Sequence, residues 1–326
     1  MGGLAIFSEV KNLIPSFIRL LSNKIINPLH CVFPIATSPD PFLSEPSPRA
    51  LSDYVVTGKP SLDRIGWQLV TGEQFEEPGY LRWCKSLHTS PAFQRKQWEW
   101  IYILQVLDSH GVLKENSRGL VFGCGKEPLP AVMARMGSTI VATDLASEDA
   151  KTTGWTATNE HSARLDDLVY PEICGRNTFL NRVSFRPCNM NQIPEDLTGF
   201  DFLWSSCSLE HLGSLDNGLR FIENSMRCLR PEGIAVHTTE FNLGSNGSTI
   251  ENKHICIYRK RDVEALAIRL LAQGHKIGMI NFTPGSSPID NHADLPPYKS
   301  HVHFRLILNR HLITSIGIFV RRGVNS

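Results

Sequence analysis

The sequence predicts an α/β chain: a largely parallel sheet carrying helices on both faces. Three observations lead there. Apolar runs of strand length recur at Gly119–Phe122, Thr139–Thr143, Arg182–Cys188, Phe200–Ser206, Gly233–Phe241, His275–Phe282 and Thr314–Arg321. Segments of helical periodicity separate most of them. The first two runs enclose the turn Gly123-Cys124-Gly125, and the second ends in Asp144, the pattern of a strand–turn–helix–strand unit built around a nucleoside.

The bulk numbers fit one large domain with extensions. The chain has 326 residues, 41% hydrophobic and 20% charged, with a formal net charge of +1. That balance, without a long basic run, argues against nucleic-acid binding through many phosphate contacts. The eight cysteines include no C-x-x-C pair and read as reduced thiols, which suggests a cytoplasmic protein. No uninterrupted apolar run reaches the length of a membrane span. The opening residues lack the basic region of a secretory signal, and Ile6 stands where myristoylation wants Ser or Thr.

Residues 1–30 have helical periodicity, with Ile14, Phe17, Ile18, Leu21 and Ile25 on one face. Such a face packs on a domain or partner, or rests on a membrane surface. Residues 34–48 are rich in Pro and Ser and read as a linker. Residues 1–89 are therefore taken as an N-terminal helical extension and linker, and 90–326 as the main domain. Ser90-Pro91 is expected to open a helix that stops at Gly111. The helix after the glycine turn takes Pro128 and Pro130 in its first turn and Gly137 just past its end. Further helices are expected over 215–229 and 262–273, the latter capped by Asp262. An insertion, about 283–312, separates the last two strands.

Four pieces in order carry a family resemblance: Leu120-Val121-Phe122-Gly123-Cys124-Gly125, the ATDL ending at Leu145, FDFLWSSCSLEHL from Phe200 to Leu212, and LRPEG before the fifth strand. Together they resemble the class I S-adenosylmethionine-dependent methyltransferases over about 119–322. The resemblance implies a Rossmann-like three-layer sandwich of seven strands in the order 3-2-1-4-5-7-6, the last antiparallel. The sequence departs from the family at three places. Val121 stands where many members carry an acid, Glu127 where a third glycine is usual, and Asn189 where an acid faces adenine. A nicotinamide-dependent oxidoreductase is the nearest rival, but its third glycine position is Pro128. A SAM-binding partner protein without catalytic activity is the other alternative.

The resemblance implies S-adenosyl-L-methionine as cofactor and assigns its contacts. Gly123, Cys124 and Gly125 would approach the methionine portion, Asp144 would hold the ribose, and Leu145 would lie beside adenine. Asn189 and Met190 would flank the adenine, and Ser206 would stand at the crevice. Glu127 is either a ligand for the cofactor's ammonium or a first-turn acid beside the helix dipole. Methyl transfer needs alignment and, for a hydroxyl or ammonium acceptor, a base. His211 and Glu240 are the catalytic candidates, His211 because imidazole titrates near neutrality. Its bland alternative is a ring bonded to backbone. Arg95 and Lys96 could meet the donor carboxylate or an anionic acceptor, or be solvated surface charges. In the insertion, Asp290, His292, Asp294, His301 and His303 match no metal template, so no metal is expected and the segment reads as an acceptor wall or lid. The acceptor expected from the near-neutral charge is a small molecule or saccharide.

Overall fold

The fold of residues 50–153 and 161–324 is described by a computed structural model. The expected N-terminal helix and the Pro/Ser linker lie outside these residues. The strands are β1 (Val55–Val56), β2 (Trp67–Leu69), β3 (Arg118–Phe122), β4 (Thr139–Asp144), β5 (Val183–Pro187), β6 (Phe200–Ser206), β7 (Leu229–Asn242), β8 (Lys276–Ile277), β9 (Ile280–Asn281), β10 (Leu306–Leu308) and β11 (His311–Arg321). The helices are α1 (Pro78–Ser86), α2 (Arg95–Ser109), α3 (Leu129–Arg135), α4 (Ser147–Thr153), α5 (Arg176–Arg182), α6 (Leu215–Ser225) and α7 (Lys260–Ala272).

One sheet runs β1-β9-β2-β11-β7-β6-β3-β4-β5, with β8 and β10 also pairing to β11. The segment from β5 to β7 is parallel, and β11 lies antiparallel on β7 over nine residue pairs. From β5 to β11 this is the expected order 3-2-1-4-5-7 with β11 antiparallel; of the expected sixth strand only β8 pairs with β11, and β2 separates β11 from β9. β6 stands at its centre with all seven residues buried, as a strand covered on both faces must be. The C-terminal ends of β3, β4, β6 and β7 share one edge of the sheet, where parallel α/β sheets place their ligands.

Packing energy concentrates around α2. Trp98, Ile101 and Tyr102 are fully buried, and the Tyr102 hydroxyl donates to the Gly66 carbonyl at 2.7 Å. α3 ends as expected: Gly137 has φ +97, its amide donates to Ala134 and that of Ser138 to Met133, a Schellman closure.

Several expected boundaries move. α2 starts at Arg95, with Gln94 at the N-cap position, rather than at Ser90. The Gln97 side chain explains this, since it accepts the Ala92 amide and donates to the Ser90 carbonyl, holding residues 89–92 in a loop. Asp262 is the third residue of α7, not its cap; its carboxylate accepts the Arg259 amide at 2.8 Å. The sixth strand is broken into β8 and β9, and Gly278 stands between them with its backbone against the Phe319 ring.

The larger correction concerns residues 55–69, placed by sequence in an N-terminal extension. β2 lies inside the sheet, antiparallel to β11 and parallel to β9. Its tryptophan is completely buried, and the Trp67 indole donates to the Phe319 carbonyl at 2.5 Å. A three-residue strand flanked by Gly66 and Pro60 carries too little periodicity to be read as core.

Candidate active site

Backbone geometry builds the glycine turn. Gly123 and Gly125 have φ of +60 and +49, in the left-handed region. A Cβ on Gly123 would stand 2.6 Å from the Ser208 hydroxyl, so this backbone comes against the loop after β6. Cys124 is buried and its amide donates to the Thr143 carbonyl at 3.0 Å, tying the turn to β4.

Asp144 closes the other side. Its Oδ2 accepts the amides of Gly125 at 2.9 Å and Ser162 at 3.2 Å, and its Oδ1 accepts Leu145 at 2.7 Å. Oδ1 thus retains acceptor capacity for a hydroxyl. Burial raises the carboxyl above its ordinary value, while the three amides and His161 oppose the shift. Half-buried Leu145 follows, and the Met190 sulfur lies 3.4 Å from where a Gly123 Cβ would be. Asn189 is exposed and its Oδ1 caps the Asn191 amide at 2.9 Å. These residues form a cradle in which a Cβ would collide, with a carboxylate at its rim, and so fit a nucleoside carrying free ribose hydroxyls.

Glu127 is buried beneath this turn, and its Oε1 accepts the Trp204 indole at 2.6 Å. Burial pushes its carboxyl up to about 8 against that hydrogen bond. Neither sequence alternative foresaw an acid anchored to the central strand.

At the end of β6 the charges interlock. Ser206 is buried, and the Lys96 ammonium donates to its carbonyl and hydroxyl, each at 3.3 Å. Arg95 meets Glu240 at 2.5 Å, and Glu99 lies 3.6 Å from both Arg95 and Lys96. Arg95 is therefore not a solvated surface charge, while Lys96, its side chain 39% exposed, is held at the surface by these contacts. Glu99 is fully buried and accepts the Ser315 hydroxyl at 2.5 Å. The signal for it was a lone acid between Trp98 and Trp100 in an otherwise apolar helix turn.

His211 places Nδ1 2.6 Å from the His254 carbonyl, so the ring proton sits on Nδ1 and Nε2 is the basic nitrogen. Burial draws its pKa below the ordinary imidazole value. The preceding Glu210 is fully buried and accepts the Thr239 hydroxyl at 3.0 Å. Burial, then the charge of Glu240, pushes its carboxyl up to about 8.

The insertion residues serve mostly to hold the segment. Asp290 accepts the Gly72 amide at 2.9 Å and pairs with Arg305 at 3.1 Å. Asp294 binds His303 at 2.7 Å, and the His303 backbone bridges Phe93 and Arg95 at the start of α2. His292 meets Ser300 at 3.0 Å, and the His301 carbonyl accepts from Gln94 at 3.0 Å. Among the described residues no group of three or more His, Cys, Asp or Glu is arranged to hold a metal. Nor is any helix among them long and apolar enough to cross a membrane.

Comparison with known proteins finds a domain resemblance. Residues 120–237 match the model of a methyltransferase domain, a span from β3 into β7. No curated protein matches. Solved structures similar to the chain include an S-adenosylmethionine-dependent methyltransferase from Clostridium acetobutylicum, 11% identical with a TM-score of 0.40, covering 69% of this chain and 92% of that one. Another is the magnesium protoporphyrin IX methyltransferase of Synechocystis, 12% identical with a TM-score of 0.42, covering 77% and 97%. A third, from Mesorhizobium loti, is 13% identical with a TM-score of 0.40, covering 67% and 96%. The matched segment contains the glycine turn, Asp144 and the loop after β6 that carries Glu210 and His211. Residues 120–237 are therefore similar to a methyltransferase domain.

Proposed function

We propose that the chain moves the methyl group of S-adenosyl-L-methionine to an oxygen or nitrogen of a small molecule or saccharide. One observation carries this reading: the nucleoside cradle and a set of buried acid and base groups meet at a single edge of the sheet. The Gly123–Gly125 turn admits the methionine portion of the donor, and Asp144 Oδ1 accepts a ribose hydroxyl. Leu145 and Met190 offer apolar contact to the adenine, with Asn189 at its rim. The Lys96 ammonium, at the carbonyl end of β6, is placed to meet the donor carboxylate.

The donor supplies an activated methyl group, so the protein's part is alignment and proton removal. The His211 ring is held by the His254 carbonyl with Nε2 as its base, and depressed basicity keeps it neutral at neutral pH. Glu240, fixed by Arg95, orients the acceptor.

Calorimetry with S-adenosylhomocysteine and with NAD separates the readings. The expected outcome is binding of S-adenosylhomocysteine and none of NAD; the reverse sinks the assignment. A screen of small-molecule acceptors with labelled donor should then show turnover that falls at least tenfold in His211→Gln with donor affinity unchanged. Bound S-adenosylhomocysteine with no transfer to any acceptor would favour a non-catalytic partner protein.

A further inference from the structure

The carbonyl that holds the His211 ring belongs to His254, at the tip of a short hairpin between β7 and α7. The Ile257 amide donates to the Ile250 carbonyl at 2.9 Å, and Glu251 bridges antiparallel to Cys256. Asn252 closes the tip as an Asx turn. Its Oδ1 accepts the amides of His254 at 2.9 Å and Ile255 at 3.1 Å. Its own amide donates to the Ile255 carbonyl at 3.1 Å.

One of these bonds decides where the His254 carbonyl points. That carbonyl and the Ile255 N–H belong to the same peptide unit, which is planar and trans, so the two face in opposite directions. Anchoring the N–H on Asn252 Oδ1 therefore aims the C=O away from the turn, where it meets His211 Nδ1 at 2.6 Å.

The hairpin is itself fixed to the segment that carries His211. The Cys256 amide donates to the Glu210 carbonyl at 2.8 Å, and Glu251 Oε1 accepts the Leu215 amide at 3.0 Å. Beneath it, Ile250, Ile255 and Ile257 pack with Tyr298, Leu306 and Leu308 of the insertion in a small core of their own. The insertion is thus the floor on which the hairpin stands.

We infer that Asn252 is a positioning residue for the reaction, deciding which nitrogen of His211 is the base. The inference rests on the methyltransferase reading above and on His211 as its base. A neutral imidazole carries one ring proton, and the nitrogen that faces a carbonyl must be the one that holds it. With the His254 carbonyl aimed at Nδ1, the lone pair stays on Nε2. Once Asn252 releases the peptide, the carbonyl turns, and the ring can hold its proton on either nitrogen. Asn252 acts through that peptide alone.

The test is histidine nitrogen NMR of the full chain loaded with S-adenosylhomocysteine, at about pH 8, where an ordinary imidazole is neutral. The His211 signals are assigned by their loss in His211→Gln. Wild type should carry the neutral ring's proton on Nδ1. Asn252→Ala should at least halve that share, and Asn252→Asp, which keeps the acceptor oxygen, should restore it. With any acceptor that turns over, Asn252→Ala should lower kcat at least fivefold. S-adenosylhomocysteine affinity within threefold of wild type certifies that each variant is folded. Should the alanine variant fail that check, Asn252→Ser, whose oxygen lies one bond nearer the backbone, takes its place with the same expected loss. A wild-type ring protonated at Nε2, an unchanged share in the alanine or serine variant, or an equal loss in the aspartate variant overturns the inference. Failure of the wild type to bind S-adenosylhomocysteine removes the methyltransferase reading and this inference with it. Binding of S-adenosylhomocysteine with the ring unaltered in Asn252→Ala removes this inference alone.

Discussion

The Asp144 carboxylate accepts the Gly125 amide at 2.9 Å, so the acid that ends β4 also fastens the turn that follows β3. On the proposed reading, donor binding and turn geometry are thus coupled through one side chain. Asp144→Ala removes at once the acceptor of three amide N–H groups, those of Gly125, Leu145 and the buried Ser162. We expect it to lower S-adenosylhomocysteine affinity at least a hundredfold and to cost roughly 1–3 kcal/mol of stability. Asp144→Asn, which keeps one acceptor oxygen, should lie between. Calorimetry paired with denaturant unfolding checks both; an alanine variant with unaltered affinity would refute the role.

Glu127 makes stability depend on pH in an unusual direction. Its carboxyl stands at about 8 in the folded chain against 4.5 as the ordinary value. Between those values the folded state holds a proton that the unfolded chain has released. The associated stability is complete below about 4.5 and is lost as pH rises towards 8. Glu127→Gln keeps an acceptor for the Trp204 indole and carries no proton to lose. Its urea midpoint should therefore match wild type at pH 4.5 and exceed it increasingly up to pH 8.5. A gap that stays constant across this range would contradict the assignment.

The Arg95–Glu240 pair is desolvated, with side chains 15% and 7% exposed. Arg95→Met strands a buried carboxylate and should cost about 3–5 kcal/mol. Adding Glu240→Gln should return a substantial part of that loss, because the stranded charge goes with it. A double-mutant cycle measures this coupling, and strictly additive losses would show that the two side chains do not depend on one another.

The centre of the parallel half could be read from sequence because β3, β4 and β6 are largely apolar runs bounded by turn residues. Gly137 likewise announced the end of α3, since few residues other than glycine adopt its φ of +97. What escaped was whatever depends on partners distant in sequence. Nothing near Ser90 tells that Gln97 folds back to occupy its backbone. Trp204 looks like any core aromatic until Glu127 is seen beneath it. Arg95 and Lys96 resemble free surface charges because the groups they bind, Glu240 and Ser206, lie more than a hundred residues away. Sequence position brought His211 forward as the nearest base. The carbonyl that holds its ring is a property of three dimensions.

The placement of β2 reaches into how the chain is made. The Trp67 indole binds the Phe319 carbonyl, 252 residues further on, and both of the strand's neighbours lie in the last fifty residues. At synthesis rates of about 5–20 residues per second, its tryptophan waits roughly 12–50 s for a seat. During that wait the parallel half, β3 to β7, already has every strand it needs. Assembly from the middle outward follows, with β2 docking after the strands of the parallel half. The waiting Trp67 side chain is the natural place for a chaperone to bind or for misassembly to begin.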